Sequence, residues 1–300
     1  MALSGGFSAR RGQVSVSLAA AGRAARRRIA AAKRIVVKAG TNVVMWDDGA
    51  VALGRLYGLV ESVASLRQEG RDVLIVSSGA IGLGAQRLGL PARPSGLALK
   101  QACAAVGQSR LMSIYEAGFE KLGFSSAQVL LTEDDFANPV RFRNLQATLT
   151  RLFSLGAIPI LNENDTVSTL ELESPEAGRG HGRIFGDNDR LSALVMSHVR
   201  ADVLVILSDV DGLFTGNPAR DRKARLIPSV AGVTDEVARY AGDAGARGRG
   251  GMRTKLDAAA IATESGGCAV IANGRMPHVL DRLFAGEEVG TVFFPRRAGR

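Results

Sequence analysis

Cysteines and histidines are scarce in this chain of 300 residues. The two cysteines, Cys103 and Cys268, lie far apart and form no C-x-x-C pair, which predicts reduced thiols rather than a disulfide framework. The three histidines are scattered, so we expect no metal site built from protein side chains. No apolar run approaches the roughly 20 residues of a membrane helix. We therefore expect no membrane partner and a cytoplasmic location.

Acidic residues are absent from the first 46 positions, which hold nine of the 38 basic side chains. The rest of the chain carries 29 basic and 29 acidic residues, so the net charge of +9 belongs to the N-terminal segment. We interpret residues 1–34 as a solvated basic extension whose end, Arg23 to Lys33, forms a basic helix, and we expect deletion of residues 1–30 to leave activity intact. The alternative is a transit peptide, with a mitochondrial location. A basic excess confined to one end does not favour nucleic-acid binding.

Three nucleotide-binding signatures are also missing. The chain has no G-x-x-x-x-G-K-[ST] sequence, no G-x-G-x-x-G sequence opening the first predicted helix, and no protein-kinase catalytic motif. Their absence argues against a Walker-type nucleotide hydrolase, a dinucleotide-binding fold and a protein kinase.

Short apolar runs alternate with longer amphipathic stretches along the chain. This alternation predicts an α/β protein in which helices cover both faces of a mostly parallel sheet, a three-layer αβα sandwich. The domain spans residues 35–295, with an insertion or mobile hairpin at Leu170 to Phe185. The predicted strands are Ile35–Val37, Val73–Val76, Gln128–Leu131, Ile158–Leu161, Val203–Leu207 and Cys268–Ala272. The predicted helices are Leu53–Gln68, Leu97–Glu120, Val140–Ser154, Arg190–His198 and Met252–Glu264.

Polar residues follow four of these strands. They occur at Lys38 to Gly40, Ser77 to Gly79, Asn162 to Asp165, and Ser208 to Asp209. In parallel sheets, ligands bind beyond the carboxyl ends of the strands. The pattern therefore predicts a binding site at that edge of the sheet.

Asp and Asn side chains are concentrated in two short segments, Asn162-Glu163-Asn164-Asp165 and Gly186-Asp187-Asn188-Asp189. One interpretation is helix N-caps, which favour both residue types. A cap needs only one such residue, however. The number of carboxylates and amides therefore favours a small cationic or zwitterionic ligand bound between the two segments.

Glycines and lysines near the same edge are typical of phosphate binding. Gly79, Gly82 and Gly84 follow a strand, and we expect their backbone N–H groups to approach an anion. A second glycine-rich loop, Ala244 to Gly251, opens a helix whose N-terminus favours negative charge. With Lys38 and Lys255 at the same edge, the pattern is that of phosphoryl transfer.

The chain from about Ile35 to Phe294 resembles the amino-acid kinase family, and within it the branch that phosphorylates glutamate. The pair Asn-Glu-Asn-Asp and Gly-Asp-Asn-Asp is the most specific part of the resemblance. It is carried by Ile35–Thr41, Val76–Ala80, Ala104–Gln108, Leu130–Thr132, Asn162–Asp165, Gly186–Asp189 and Gly250–Lys255.

The resemblance implies roles for individual residues. Lys38 and Lys255 would contact the transferring phosphoryl group from opposite sides, with Asp189 orienting them. The implied glutamate-binding residues are Ser78, Asp165 and Asn188, with Asn162 and Asp187 as supports. Ser78 and Asn188 would donate to a substrate carboxylate, and Asp165 would bind the α-ammonium group. The implied nucleotide-binding residues are Lys38, Gly40, Ser208, Asp209, Arg249, Gly250, Gly251, Met252, Arg253, Thr254 and Lys255.

The same resemblance implies the ligands and partners. They are ATP, Mg²⁺ bound through the nucleotide phosphates, and L-glutamate, with proline as a feedback inhibitor. A homo-oligomer, dimer or tetramer, and a downstream glutamyl-phosphate reductase are further implied partners. The chain departs from the family pattern mildly at Ala39, Ser77 and Ser208, where Leu, Thr and Thr are common, and its segment Leu170 to Phe185 is longer than in the bacterial pattern. Arg249 stands where a threonine is usual, and we expect the C-terminal PUA-type domain of many bacterial members to be missing.

Two alternatives remain at the level of the sequence. A related kinase of the same fold could form an acyl phosphate from aspartate or N-acetylglutamate, although an N-acetyl substrate would leave Asp165 without an ammonium partner. A non-catalytic amino-acid sensor is the other alternative. Retention of both lysines and Asp189 argues against it, since binding alone needs no phosphoryl clamp.

Overall fold

The computed structural model describes residues 19–91, 94–167, 188–241 and 251–296. Its first helix, α1, covers residues 19–30. The strands are β1 (Arg34–Ala39), β2 (Asp72–Ser77), β3 (Ser126–Leu131), β4 (Ile158–Glu163), β5 (Val203–Ser208), β6 (Ser229–Ala231), β7 (Cys268–Asn273) and β8 (Thr291–Phe294). The other helices are α2 (Thr41–Val44), α3 (Leu53–Gln68), α4 (Ala80–Arg87), α5 (Leu97–Lys121), α6 (Glu133–Ala137), α7 (Pro139–Ser154), α8 (Asn188–His198), α9 (Asp235–Arg239), α10 (Met252–Glu264) and α11 (Val279–Phe284).

The six predicted strands and five predicted helices are all present, with ends within about two residues of the predicted ones. The elements that the alternation missed are short: β6 has three residues and β8 has four. Helix α4 lies where the sequence predicts a glycine-rich phosphate-binding loop, because the helix contains Gly82 and Gly84. Such short elements are stabilised by packing against other elements, and they are too short to show a clear hydrophobic period in the sequence.

The eight strands form one sheet in the order β3-β4-β2-β1-β5-β7-β8-β6. All neighbouring pairs are parallel except β7 and β8, which are antiparallel. From β1 at the centre, one half of the sheet extends through β2, β4 and β3, and the other half extends through β5, β7, β8 and β6. The sheet and its flanking helices confirm the three-layer αβα sandwich with a mostly parallel sheet.

Alternate residues of each central strand enter two separate cores. In β1, Val37 packs into the core that contains α1, α3, α5 and α11, whereas Val36 packs into the core that contains α7, α8 and α10. Both faces of the sheet are therefore buried, which explains why the strands read as continuous apolar runs. The same alternation decides which layer each polar residue at the strand ends faces.

The segment predicted as a solvated extension divides near residue 19. Residues 1–18 lie outside the described part of the chain. Helix α1 buries Ala25 and Ile29 in the core, and its Arg26 is only 7% exposed. The Arg26 guanidinium donates to the carbonyl oxygens of Pro228, at 2.9 Å, and Val289, at 3.0 Å. The expectation that residues 19–34 are solvated is therefore wrong, because amphipathic packing, not charge, decides where this segment lies. The expectation that the N-terminal segment can be deleted without loss of activity stays a prediction.

Helices α4 and α5 pack with their backbones in direct contact. A side chain on Gly84 would overlap the carbonyl oxygen of Cys103, and one on Gly107 would overlap that of Ala80. Gly82 faces the Met45 side chain in the same tight way. The expectation that Gly84 approaches an anion is therefore wrong, since its amide lies beyond the first turn of α4 and the residue serves the packing of the helix. Gly82 lies in the first turn of α4, so the expectation that its amide approaches an anion stays a prediction. Gly79, with φ of 107°, is the left-handed residue that joins β2 to α4.

Two predicted features fall outside the described residues. These are the insertion at Leu170 to Phe185 and the loop from Ala244 up to the residue before Gly251. In the segments that are described, no helix has both the length and the apolar character required to cross a membrane.

Candidate active site

The polar residues predicted at the strand ends meet at one edge of the sheet. Strand β1 lies between β2 and β5, where the strand order reverses direction. Such a switch point opens a crevice beyond the carboxyl ends of the strands. The Gly40 amide donates to the Leu207 carbonyl oxygen at 3.2 Å, which ties the ends of β1 and β5 together. The crevice therefore forms next to Lys38.

Lys38, Asp189 and Lys255 form a buried ionic group at this crevice. The Lys38 ammonium lies 2.6 Å from Asp189 Oδ1, and the Lys255 ammonium lies 3.0 Å from Asp189 Oδ2. The Asp189 side chain is 1% exposed, and the two lysine side chains are 8% and 7% exposed. Lys38 shares its face of β1 with Val36, the face covered by α8 and α10. The structure therefore brings together the three residues predicted as catalytic.

The electrostatics of this group favour a bound anion. Burial would raise the pKa of the Asp189 carboxyl, but the ammonium groups of Lys38 and Lys255 outweigh burial and hold that pKa well below its ordinary value. Asp189 is therefore ionised at neutral pH. Two positive charges then face one negative charge, which leaves one net positive charge in a buried place, where an unbalanced charge is costly.

The first turn of α10 completes this side of the site. Thr254 Oγ1 lies 2.8 Å from Asp189 Oδ2, so the hydroxyl supports the carboxylate beside Lys255. Gly251 is the N-cap of α10 and offers no side-chain acceptor to the free amides of the first turn. These amides can face an anion.

Not every residue predicted for the nucleotide site faces the ionic group. The Arg253 side chain is 66% exposed and pairs with Asp257 at 3.5 Å, on the solvent face of α10. Met252 packs partly buried against the core beneath the helix. Arg249, Gly250 and Asp187 lie outside the described residues.

Three of the residues predicted to bind the substrate, Ser78, Asn162 and Asn188, lie together. Asn188 Nδ2 donates to Asn162 Oδ1 at 2.9 Å and to Ser78 Oγ at 3.0 Å. This corner of amides and a hydroxyl adjoins the ionic group through the neighbouring residues Asn188 and Asp189. Asn162 is 3% exposed and Asp165 is 8% exposed. Asp165 is thus a buried carboxylate two residues beyond the end of β4.

Ser208 and Asp209 lie on the other side of β1. Ser208 Oγ contacts Asp209 Oδ1 at 3.1 Å, and Asn42 Nδ2 donates to Asp209 Oδ2 at 2.8 Å. Burial opposes ionisation of Asp209, yet the Asn42 hydrogen bond helps to lower the pKa of the carboxyl. A side chain on Gly40 would lie 3.5 Å from the Lys38 ammonium, so glycine keeps the space beside that lysine open.

Three residues of the site were missed as site residues at the level of the sequence. They are Asn42, Gln108 and Tyr115. Gln108 Oε1 accepts a hydrogen bond from Asn162 Nδ2 at 2.9 Å, and the Tyr115 hydroxyl lies 3.0 Å from Ser77 Oγ. Gln108 belongs to one of the motifs that carry the family resemblance. The seven-residue spacing of Gln108 and Tyr115 predicts that both lie on one face of a helix, but it does not indicate which residues they contact.

Metal ligands are not assembled by the protein in the described segments, where no three His, Cys, Asp or Glu side chains form a group that could hold a metal ion. Of the carboxylates at this edge of the sheet, Asp189 is already contacted by both lysines and Asp209 by Asn42. This set suits an ion that arrives with phosphate oxygens and water, as Mg²⁺ commonly does.

The fold and the ionic group define a class of protein. The chain matches the amino acid kinase family over residues 33–273. It belongs to that family. Within it, the chain is 47% identical over 266 residues to a glutamate 5-kinase of Geobacter metallireducens, an alignment covering 88% of this chain and 68% of that protein. A glutamate 5-kinase of Caldanaerobacter subterraneus subsp. tengcongensis is 44% identical, with the same coverage of both chains.

Solved structures of lower identity share the fold. A UMP kinase from Bacillus anthracis aligns with a TM-score of 0.58 at 18% identity, covering 88% of this chain and 96% of that one. An isopentenyl phosphate kinase from T. acidophilum aligns with a TM-score of 0.56 at 16% identity, covering 87% and 99%. At these identities the likeness extends to the fold alone.

Proposed function

We propose that this chain is a glutamate 5-kinase, which transfers a phosphoryl group from ATP to the γ-carboxylate of L-glutamate in the first step of proline synthesis. The observation that carries the proposal is the buried Lys38–Asp189–Lys255 group beside the acceptor corner formed by Ser78, Asn162 and Asn188. The identity of 47% to a glutamate 5-kinase over 88% of the chain supports the choice of acceptor.

The reaction needs charge neutralisation more than proton transfer. A γ-carboxylate oxygen attacks the terminal phosphorus of ATP, and the bond from that phosphorus to the bridging oxygen breaks, so ADP leaves. The acceptor is already ionised at neutral pH because a glutamate carboxyl has a pKa of about 4.3. No general base is therefore required. The obstacle is to bring two anions together, which positively charged groups overcome.

Lys38 and Lys255 supply those positive charges. Each ammonium contacts a different oxygen of Asp189, at 2.6 and 3.0 Å, so the carboxylate holds the two at a fixed separation. Because its pKa is held low, Asp189 stays ionised and acts as an anchor, not as a base. The contact from Thr254 further fixes the anchor.

The acceptor side has groups suited to an α-amino acid. Asp165 supplies a buried negative charge for the ammonium, and the Ser78 hydroxyl can donate to a carboxylate. Asn162 and Asn188 hold each other in place through their hydrogen bond. Asp187 belongs to the same proposal through the family resemblance.

The donor side extends from β1 to the start of α10. Gly40, Ser208 and Asp209 lie beside Lys38, and the amides of the first turn of α10, from Gly251 to Lys255, face an anion without a capping side chain. Met252, Arg253, Arg249 and Gly250 belong to the donor side by family resemblance. Bound Mg²⁺ would neutralise phosphate charge, held through the nucleotide phosphates and water.

A coupled assay of ADP release tests the acceptor. The full chain is supplied with ATP, Mg²⁺ and one acceptor at a time: L-glutamate, L-aspartate or N-acetyl-L-glutamate. We expect release with L-glutamate alone, and trapping of the product by hydroxylamine, which reacts with acyl phosphates. Release with aspartate or N-acetylglutamate instead would replace the proposed substrate. Binding of glutamate without any ADP release would identify a sensor.

Three further properties form part of the proposal. Proline inhibits by occupying the acceptor corner, because its cationic nitrogen can face Asp165 and its carboxylate can face Ser78. The active form is a homo-oligomer, dimer or tetramer. The product, a reactive acyl phosphate, passes to a reductase that acts on glutamyl phosphate. Proline inhibition of the coupled assay and light scattering of the purified chain test the first two.

A further inference from the structure

A chain of buried amides lies beneath the acceptor corner. Gln108 Oε1 accepts from Asn162 Nδ2 at 2.9 Å, and Asn162 Oδ1 accepts from Asn188 Nδ2 at 2.9 Å. Gln108 is 8% exposed and Asn162 is 3% exposed. The relay, defined as Gln108, Asn162 and Asn188, joins α5, β4 and α8, one element from each layer of the fold.

The direction of every amide in the relay is fixed. The nitrogen side of Asn188 also faces the Ser77 carbonyl oxygen, at 3.4 Å, and a carbonyl can only accept. That side must therefore be the NH₂ group. Asn162 must then present its oxygen to Asn188 and its nitrogen to Gln108, and Gln108 must present its oxygen to Asn162.

The two ends of the relay are polar atoms without a partner among the described residues. Asn188 Oδ1 and Gln108 Nε2 are both buried, and no hydrogen bond to either atom forms within that part of the chain. A buried donor without a partner is destabilising. A side chain needed only for packing at position 108 would be Leu or Met, which would avoid that penalty. The retained amide therefore points to a role for the Gln108 oxygen.

The direction of the relay decides what the acceptor corner offers to a ligand. Both hydrogens of Asn188 Nδ2 are directed at Asn162 and Ser78, so the atom that remains is the oxygen, an acceptor. Ser78 Oγ already accepts from Asn188, so its O–H is the group left to donate. An acceptor beside a donor matches the ammonium and carboxylate of an α-amino acid. This reverses the sequence-based expectation that Asn188 donates to a carboxylate.

We propose that Gln108 is a positioning residue that fixes the Asn162 and Asn188 amides, so that Asn188 Oδ1 accepts from the α-ammonium group of the amino-acid substrate. The proposal deepens the proposed function and rests on it. Gln108 does not touch the substrate. Without the Gln108 oxygen, Asn162 can turn its amide over and present an NH₂ group to Asn188. Because the contact of Asn188 with Asn162 is short, 2.9 Å, and its contact with the Ser77 carbonyl oxygen is long, 3.4 Å, Asn188 then turns over as well, and an NH₂ group faces the ammonium. Discrimination in favour of the ammonium is lost as a result.

The test compares ligands with and without the ammonium. Dissociation constants of L-glutamate and of glutarate, which lacks only the α-ammonium, are measured by calorimetry on the wild-type chain and on Gln108→Met, Gln108→Asn and Gln108→Glu. The Met side chain keeps the length but has no acceptor, and the Asn side chain is polar but one carbon too short. The Glu side chain keeps an oxygen toward Asn162. Gln86→Leu, at an exposed position of α4, is the matched control.

We expect the preference for glutamate over glutarate to fall about tenfold in the Met and Asn variants, a change of about 1.4 kcal/mol. The Glu variant should stay within about threefold of the wild type, and glutarate and ATP affinities should hardly change. An unchanged preference in a folded Met or Asn variant overturns the proposal, and the Asn variant decides if the Met variant does not fold. Equal losses for both ligands mean a structural role only, which also overturns it. A wild-type chain without glutamate-dependent ADP release contradicts the proposed function instead.

Discussion

Two buried lysines share one buried aspartate at the centre of the site, and neither lysine has a substitute there among the described residues. A single ammonium could balance Asp189, but the second leaves the net positive charge that a phosphoryl group requires. At this scale the proposed chemistry depends on the contacts of Asp189 with the Lys38 and Lys255 ammonium groups, at 2.6 and 3.0 Å, and substituting one lysine at a time tests each contact.

Replacing Lys38 or Lys255 by Met should lower turnover by about 10²–10³, the usual cost of one preorganised charge-assisted contact. The apparent KM for glutamate should change much less, because the charge matters most as the transition state forms. Steady-state ADP release measures both constants. Lys121→Met, at the exposed end of α5, should behave as wild type. Near-normal turnover in either variant would remove that lysine from the catalytic assignment.

Asp165→Asn keeps the size of the side chain but removes the buried charge proposed to face the substrate ammonium. Loss of one partner from a buried charge pair typically costs about 3–5 kcal/mol, so glutamate binding should weaken by at least about ten- to a hundredfold. Proline should lose potency in parallel, whereas ATP affinity should hold. Calorimetric titration of all three ligands checks this. Unchanged glutamate affinity would refute the role of Asp165, and parallel loss of ATP affinity would indicate misfolding.

At the scale of elements, α5 supports the site from below. Gln108 and Tyr115 lie on one face of this helix and contact β4 and β2 through Asn162 and Ser77. The helix can lie this close because Gly84 and Gly107 let its backbone touch that of α4. The position of the acceptor corner therefore depends on the packing of α5 against α4.

Gly107→Ala should destabilise the protein by roughly 1–3 kcal/mol, since the added methyl group would overlap the backbone of α4 and force the helices apart. Gly58→Ala, in the interior of α3 where nothing lies within 4 Å, should stabilise by about 0.5–1 kcal/mol. Urea unfolding of the two variants measures the opposite signs. If both alanines stabilise, the close α4–α5 contact is absent in solution.

Burial raises the pKa of the Tyr115 phenol to about 12, despite the opposing hydrogen bond to Ser77. The unfolded chain releases this proton near pH 10, so between pH 10 and about 12 the unfolded state binds fewer protons. The contribution of protonated Tyr115 to the free energy of unfolding is therefore complete below pH 10, and it is lost as the pH rises from 10 to about 12. Tyr115→Phe should show a shallower alkaline loss of unfolding free energy. The control Tyr240→Phe, at a 37% exposed position, should follow the wild type.

At the scale of the whole molecule, α1 joins the beginning of the described chain to its end. Arg26 donates to carbonyl oxygens before β6 and before β8, and burial lowers the pKa of its guanidinium, which stays protonated. Gly22 allows the helix to contact Ser229 of β6. The edge of the sheet formed by β8 and β6 thus depends on α1.

Deleting residues 1–32 should destabilise the protein, whereas deleting residues 1–18 should leave the unfolding midpoint unchanged. Arg26→Met should cost at least about 1–3 kcal/mol, because buried carbonyl oxygens lose their donor. The neighbouring substitution Arg27→Met, at an exposed position, should cost little. Thermal and urea unfolding of the four proteins give the comparison. A stable, active chain without α1 would restore the view that this segment is a dispensable arm.

The sequence by itself determined the fold class and most of the membership of the site. Strands buried on both faces must be apolar throughout and helices must be amphipathic, so periodicity located six strands and five helices nearly to the residue. Parallel strands end at one edge, which is why Lys38, Ser78, Asn162 and Ser208 could be placed together before any coordinates.

Only the tertiary structure decided the contacts that cross between elements. Gln108 lies 54 residues from Asn162, and Arg26 lies more than 200 residues from the carbonyl groups that it binds. No local pattern encodes such pairs, since each depends on how separate elements pack. Gly84 of α4 shows the same limit: the spacing of the glycines resembles a phosphate loop, but the close approach of α5 makes Gly84 a packing residue. The direction of the amide relay likewise depends on tertiary structure, because it follows from the contact of Asn188 with the Ser77 carbonyl oxygen and from hydrogen bonds between elements of all three layers.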